Sequence, residues 1–556
     1  MKDTLRSLIG SALSKISTEK AWPTDLDLGA FVLEEPNKPQ FGHLATNAAM
    51  VLAKKVGFKP RDLAELIIQT IGPGHELIES MEVAGPGFIN FRFSNKFWVK
   101  TLEKILKSGL DYGRDLTPKG RVLVEYVSAN PTGPLHVGHG RGAALGDALA
   151  RILSFVGHEV GCEYYVNDAG RQMRILGNSV LVRLNQLKGQ EVEIPTDFYR
   201  GDYIGHIAGE LAPSLGDDFE NLSNKEKVEI LTDRAIGIIL TGIKKDLSDF
   251  RVRHDTWFSE KSLYENHLVE KSFDFLEKHG HTYHKDGALW FKSTAFGDDK
   301  DRVLVKSDGE MTYFASDIAY HKEKFDRGYD LLIDIWGADH HGYIPRVKAA
   351  VSALGRKPDH LGVVLVQMVN LLRDGQAVNM STRSGQFVTL EEVVSEVGAD
   401  AARFIFLTRS HESTLDFDLE LAKSQSRDNP VFYVQYVCAR VNSLLAKAQE
   451  AKADPEAAKA PIDLSLLAAN EEVEIIKTLS TFSETLTAAA KRLEPHLLTV
   501  YLSSLAKLFH QYYGAFRLVD EDHWALTRAR LELAKAVKQV TVIGLDLLGV
   551  TAPEKM

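Results

Sequence analysis

At 556 residues the chain is too long for one ordinary core, and domain-size statistics imply about two to four domains. Hydrophobic content of 44% with 26% charged residues, and no apolar run near the length of a membrane span, describes a soluble protein and excludes an integral membrane one. The formal charge of −10 excludes a globally basic nucleic-acid binder, so such a partner would be held by local patches of Lys and Arg.

The opening "MKDTLRSLIGSALSK" has an early acidic residue and no apolar h-region, so neither a secretory signal nor a transit peptide is expected, and the cytoplasm is the default. Helical patterns such as "FGHLATNAAMVLAKKVGFKPRDLAELIIQTI", followed by the turn and alternating strand of "MEVAGPGFINFRFS", predict a small α+β unit over residues 1–114. The polar "DYGRDLTPKG" marks its boundary.

From 115 to 428 strands and helices alternate. "RVLVEYV" precedes a helix after 138, "EVGCEYYV" precedes the helix "AGRQMRILGNSVLVRL", and "DLLIDIWG" and "LGVVLVQMV" read as later strands. This order predicts a multidomain α/β protein whose catalytic domain is a Rossmann-like, doubly wound parallel sheet with its ligand crevice at the carboxyl ends of the strands. The polar, helical stretch from about 183 to 255 reads as an insertion. From 429 to 556 apolar-periodic helices predict an all-α domain, interrupted by the loop-like "LLAKAQEAKADPEAAKAPIDL". Arg528, Arg530, Lys535 and Lys538 on the last helix read as a solvated face. Cys162 and Cys438 are too few and too far apart for a disulfide framework or a zinc knuckle, and two buried thiols are expected.

The stretch "VSANPTGPLHVGHGRGAALGDALARIL" (127–153) places His136 and His139 at the mouth of a helix. Unpaired N–H groups at such a terminus suit a phosphate, two imidazoles three residues apart reach the same side, and Gly138 lets a ligand approach the backbone. Imidazole N–H donors there could stabilise charge developing in a phosphoryl or nucleotidyl transfer. Capping or core histidines are the bland alternative. Zinc lacks a matching ligand set, so no metal site is expected. Gly138, Gly140 and Ala143 also satisfy G-x-G-x-x-A, a dinucleotide fingerprint, although "SANPTGPLHV" separates it from the strand.

"PLHVGH" resembles the HIGH signature of class I aminoacyl-tRNA synthetases, and the longer stretch resembles arginyl-tRNA synthetases of the bacterial type. "YYVNDAGRQ", "FYRGDYI", "DTWFSEKSLY", "GDDKDRVLVKSDGEMTYFASDIAYH", "IWGADHHGYIPRVKAA", "MSTRSGQFVTL", "GADAARF" and "LDLLGVTAPEKM" follow in the family's order over essentially the whole chain. The resemblance implies an N-terminal domain on the tRNA body, a Rossmann-like catalytic domain and a helical anticodon-binding domain. It implies activation of L-arginine by ATP with Mg²⁺, then transfer of arginine to its cognate tRNA, by a cytoplasmic monomer in which bound tRNA completes the active site for activation. A catalytically inactive tRNA-binding paralogue, or a dinucleotide-dependent oxidoreductase, remains the alternative.

The site residues implied are His136 and His139 at the ATP phosphates, Gly138 against adenine, and Gly337, Asp339 and His340 along the ATP site. Met380, Ser381 and Arg383 belong to the second ATP signature, where "NMSTRSG" puts Asn379 and Thr382 in place of lysines and leaves Arg383 as the nearby cation. Glu125 and Asn130 would hold the α-amino and carboxylate end of arginine, Asp317 the guanidinium, and Tyr313, read at the end of a strand, would close the pocket. Of the aromatics near the last helices, Tyr512, Tyr513 and Trp524 could stack on anticodon bases, with core positions expected for at least two of them.

Overall fold

The computed structural model describes residues 1–378, 388–451 and 460–556. Its first unit packs helices Lys2–Glu19, Ala48–Val56 and Pro60–Ile71 with an antiparallel sheet of β1 (Leu33–Glu34), β2 (Leu44–Thr46), β3 (Ile78–Ala84) and β4 (Phe88–Phe93), in the order β1-β2-β4-β3. Leu5, Ile9, Ala12, Leu13 and Ile16 recur at helical spacing on the first helix and are all buried, the stripe an amphipathic helix turns toward a core.

The second unit is built on β5 (Arg121–Glu125), β6 (Glu159–Val166), β7 (Thr256–Ser259), β8 (Thr282–Lys285), β9 (Ala288–Phe291), β10 (Arg302–Val305), β11 (Leu331–Gly337) and β12 (Leu361–Val366). Strands β12-β11-β5-β6-β7 form one sheet that is parallel throughout. The chain starts at the centre, moves outward through β6 and β7, and returns to the other side at β11. Strand order therefore reverses between β5 and β11, where an open parallel sheet has its crevice.

The structure changes two details expected from the sequence and bears out a third. "LGVVLVQMV" is two strands: β12 ends at Val366, and β13 (Val369–Arg373) pairs with β14 (Gln376–Ala377) and β15 (Leu415–Asp418) in a separate sheet. At the break, the fully buried Arg141 draws the Gln367 carbonyl to its guanidinium at 2.8 Å, together with those of Ser410 and Ser413. An antiparallel sheet, β10-β9-β8, stands beside the parallel one and has no counterpart among the strands expected from the sequence. The stretch 183–255 is helical as expected, with Asp202–Leu211 and Asn224–Asp249.

Beyond β15 the regular elements of the described residues are helices, including Pro430–Glu450, Asn470–Ser480, Phe482–Arg492, His496–Ala515 and Trp524–Leu547. The basic side of the last helix is not simply solvated. Arg530 pairs with the buried Glu472 at 3.0 Å, Lys538 donates to Asn442 at 2.7 Å, and Arg528 reaches the Ala460 carbonyl. Tyr512 is core, with its hydroxyl on Glu472, while Tyr513 and Trp524 are half-buried. This helical unit also grips the first one: Gln539 donates to the carbonyls of Ile105 and Gly109 at 2.7 Å, and Tyr112 to that of Leu479 at 3.1 Å. Cys162 is half-buried and Cys438 buried, both as free thiols. Among the described residues no helix is long and apolar enough to cross a membrane.

Candidate active site

A cleft of about 1890 Å³ opens at the carboxyl ends of β5, β6, β7, β11 and β12. One wall is an elbow after β5, where Val127 (φ 71) and Ser128 (φ 39) occupy the left-handed region that a β-branched residue avoids. The elbow is held from several sides. Ser128 Oγ donates to Glu125 Oε1 at 2.9 Å and accepts from the Tyr165 N–H at 3.1 Å, while the Tyr164 hydroxyl donates to the Ala129 carbonyl at 2.9 Å. Backbone strain persists only where surroundings over-determine it, which is characteristic of working sites.

His136 is the N-cap of the helix Val137–Phe155. Its Nδ1 accepts from the Gly138 N–H at 3.1 Å, and its own N–H donates to His139 Nδ1 at 3.2 Å. The two rings stack with centroids 3.7 Å apart. Burial lowers the pKa of His136, and burial with repulsion from His136 pulls His139 down to about 3, so both are neutral at physiological pH. A neutral imidazole that accepts at Nδ1 carries its proton on Nε2. The cap thus fixes each tautomer with its proton on Nε2, at the wall of the cleft.

Gly138 earns no backbone strain here. A Cβ at this position would sit 2.9 Å from His136 Cε1, so glycine makes room for the folded-back ring. Gly140 lies within the helix against Leu390, which a Cβ would meet at 2.7 Å, and Ala143 is buried in the same helix. These are packing positions, and they remove the structural case for a dinucleotide fingerprint. Residues 135–137 pair with 388–390 through Leu390 N to Leu135 O at 2.8 Å and Val137 N to Val388 O at 3.2 Å. The carboxyl flank of the "NMSTRSG" segment is therefore anchored beside His136. Asn379, Met380, Ser381, Thr382 and Arg383 themselves lie outside the described residues.

Acidic groups line another part of the cleft. Asp317 stands on the helix Tyr313–Asp326, half-buried, and accepts from the Tyr343 hydroxyl. Tyr313 opens this helix and is 57% exposed; it does not end a strand, because the chain turns into the helix at Thr312. Glu260 follows β7, is 4% exposed, and leaves Oε2 without a hydrogen-bond partner. Burial, with the charges of Asp317 and Asp168 adding, pushes Glu260 up to about 7. Burial pushes Asp317 up to about 6 against the hydrogen bond from Tyr343. The buried Tyr165 hydroxyl also lacks a partner. Carboxylates short of donors suit a cation that carries several N–H groups in a rigid fork.

The remaining expected residues also reach the cleft. Asn130 is exposed on the elbow, and Gly337, Asp339 and His340 line the cleft after β11. Gly337 has a local reason as well, since a Cβ would meet Asp339 Oδ1 at 2.6 Å. Glu125 is 7% exposed and is bound from below by Lys324. Nothing in the sequence marks Glu260 or Lys324: each stands near other charged residues, in "DTWFSEK" and "HKEKFD", with no spacing that sets it apart.

A crevice-forming parallel sheet, a His-Val-Gly-His helix mouth, and an acidic pocket beside it define a class I aminoacyl-tRNA synthetase. Three family models match along the chain: "Arginyl tRNA synthetase N terminal domain" at 3–93, "tRNA synthetases class I (R), catalytic domain" at 101–418, and "DALR anticodon binding domain" at 434–556. The arginine–tRNA ligase of Nitratidesulfovibrio vulgaris strain DP4 is 52% identical over 540 residues, covering 96% of each chain. That of Desulfosudis oleivorans is 52% identical over 558 residues, covering 100% of each. The solved arginyl-tRNA synthetase of Thermus thermophilus matches with a TM-score of 0.76 over 100% of each chain; at 24% identity it speaks for the fold alone. The chain belongs to the arginyl-tRNA synthetase family.

Proposed function

We infer how this cleft divides the labour of its family's reaction, in which L-arginine is activated by ATP to arginyl-adenylate and then joined to the 3′ end of tRNA. The observation that carries the reading is the placement of two carboxyl groups that form no salt bridge among the described residues, Glu260 and Asp317, in the same cleft as two Nε2–H imidazoles. Glu260 and Asp317 receive the guanidinium, Tyr313 covers it at the mouth, and Glu125 and Asn130 take the α-amino and carboxylate end. The arginine carboxylate then attacks the α-phosphate of ATP, and pyrophosphate leaves.

No protein nucleophile is needed. Catalysis is positioning and electrostatic stabilisation, with His136 and His139 donating to phosphate oxygens as charge develops. Gly138, Gly337, Asp339 and His340 line the nucleotide side, and Met380, Ser381 and Arg383 approach from the second signature. Mg²⁺ would supply neutralisation of phosphate charge in such a transfer, and the exposed carboxylate of Asp339 would be the protein group to hold it. In the second step a terminal ribose hydroxyl attacks the arginyl carbonyl and AMP leaves.

Residues 1–114, 115–428 and 429–556 act as tRNA-body-binding, catalytic and anticodon-binding parts of a cytoplasmic monomer. The test is arginine-dependent ATP–pyrophosphate exchange with and without arginine tRNA, other amino acids serving as controls. Exchange with arginine alone supports the reading, and its dependence on tRNA supports completion of the site by tRNA. Absence of exchange under every condition overturns it.

A further inference from the structure

The helix Tyr313–Asp326 carries Lys324 beneath the cleft, its side chain fully buried among strands of the central sheet. The ammonium donates to Glu125 Oε2 and, at 2.9 Å, to Asp334 Oδ1. The other Asp334 oxygen lies 2.9 Å from His321 Nε2, and His321 Nδ1 lies 2.7 Å from the carbonyl of Asp317. One line of buried contacts therefore runs from Glu125, at the α-amino end of the arginine site, to Asp317 at the guanidinium end.

Burying a lysine completely is costly in desolvation and side-chain freedom, and an apolar residue would fill the space more cheaply. What Lys324 does for its neighbours explains its presence. Glu125 faces Lys324 and Tyr320 from the helix, Asp334 from β11 and Glu163 from β6, and Ser128 donates to it from the elbow. Burial raises the pKa of Glu125, and repulsion from Asp334 and Glu163 adds to that; Lys324 opposes the rise through both charge and hydrogen bond. Burial would lower the pKa of Lys324, but Asp334 and Glu125 outweigh it and keep the ammonium charged.

We propose that Lys324 is a positioning residue for the amino-acid substrate: its ammonium ties down Glu125 Oε2 from below, so that the carboxyl group meets the α-ammonium of arginine in a fixed orientation. The inference rests on the reading that Glu125 receives that ammonium. Lys324 touches no substrate itself. Beside holding that oxygen, it opposes the protonation that burial and the neighbouring acids Asp334 and Glu163 favour at Glu125.

Lys324→Met alone strands two buried carboxylates and is expected to fold poorly. The decisive variant is the double Lys324→Met/Asp334→Asn, which removes one charge of each sign and leaves an amide oxygen for His321. Its KM for arginine and for ATP, its pH profile of exchange and its thermal unfolding are compared with wild type and with Glu125→Gln. The double variant should melt near wild type, yet its KM for arginine should rise about tenfold or more, the loss of roughly one charge-assisted contact. Its KM for ATP should hold. The acid limb of kcat/KM for arginine should move to higher pH, because Glu125 without its cation keeps its proton longer. If Glu125→Gln raises the KM for arginine while the double variant keeps wild-type KM and acid limb, Lys324 is a packing residue and the inference is overturned with the site reading intact. If Glu125→Gln leaves the KM for arginine unchanged, the reading of Glu125 fails and this inference fails with it.

Discussion

Two of the places where this molecule buries charge are built on opposite plans. At the junction around Arg403, the guanidinium is fully buried and places Nε on the Leu548 carbonyl at 2.8 Å, Nη1 on the carbonyls of Phe250 and Arg251, and Nη2 on Asp147, which also takes Arg151 at 2.8 Å. That junction ties the histidine-bearing helix to the end of helix Asn224–Asp249 and to the last turn of the chain. In the cleft floor, Glu163 has Arg327 as a bidentate partner and Glu125 and Asp334 share Lys324, whereas Glu260 and Asp317 form no salt bridge among the described residues. A closed balance of buried charge holds structure together; an open one marks where a ligand completes it.

The comparison can be broken most forcefully at the closed site. Arg403→Met leaves Asp147 short of its buried partner and the carbonyls of Leu548 and Phe250 without the donor they have now, and should cost about 3–5 kcal/mol in denaturant unfolding. Its folded fraction, titrated for active sites at low temperature, should keep the wild-type KM for arginine. A raised KM would mean that the junction belongs to the cleft. Gly549→Ala acts on the same point, since Gly549 has φ +67 and a Cβ there would come within 2.3 Å of the Arg403 guanidinium.

Next in size is loss of a phosphate donor. His136→Ala or His139→Ala should slow arginine-dependent exchange by about 10²–10³, the usual effect of removing one preorganised donor. The KM for arginine should hold, because neither imidazole belongs to the acidic pocket. Unchanged exchange would reduce both histidines to helix caps.

The open site should respond in two directions at once. Glu260→Gln should lower kcat/KM for arginine by about 2–3 kcal/mol, a factor near 10², by removing an acceptor for a charged donor. The same change should raise the melting temperature of the free protein, because it deletes a buried carboxylate that repels Asp317. No substitution at the closed junction should combine a gain in stability with a loss of function.

How far the sequence reveals these two plans depends on what each residue's neighbours are. Alternating strands and helices announce the parallel sheet, because periodicity is local. The histidines are legible from "PLHVGH", since a glycine between them at a helix mouth is a local pattern, although the capping bonds that fix their tautomers are not. Asp317 was reached through the family resemblance, whereas Tyr313 was misplaced at a strand end because nothing before "TYFASDIAYH" signals where the helix begins. Glu260, Lys324 and Arg403 are invisible locally. Their meaning comes from partners far along the chain, 199 residues for Lys324 and Glu125 and 256 for Arg403 and Asp147. A lysine in "HKEKFD" looks like solvent-facing charge until β5 and β11 close over it.

The smallest expected effect is the most diagnostic of the open plan. Asp317 moves from its ordinary 3.8 up to about 6 and Glu260 from 4.5 up to about 7. A carboxyl group whose folded pKa lies above its unfolded one stabilises the fold while protonated. That contribution is complete below about pH 4 and is withdrawn as pH rises through the unfolded value and then the folded one, up to about 3 kcal/mol per group before solvent screening and their mutual repulsion reduce it. Carboxylates paired with cations elsewhere change stability in the opposite sense, so the informative quantity is the difference between wild type and Asp317→Asn/Glu260→Gln. In thermal melts that difference should widen between about pH 5 and pH 7.5, with the variant the more stable at the upper end. Saturating arginine should close the gap for wild type by supplying the missing cation, and should do nothing for the variant. A gap that stays constant across the window would mean that the two acids are already compensated within the protein, and the distinction between an open and a closed balance of charge would fail.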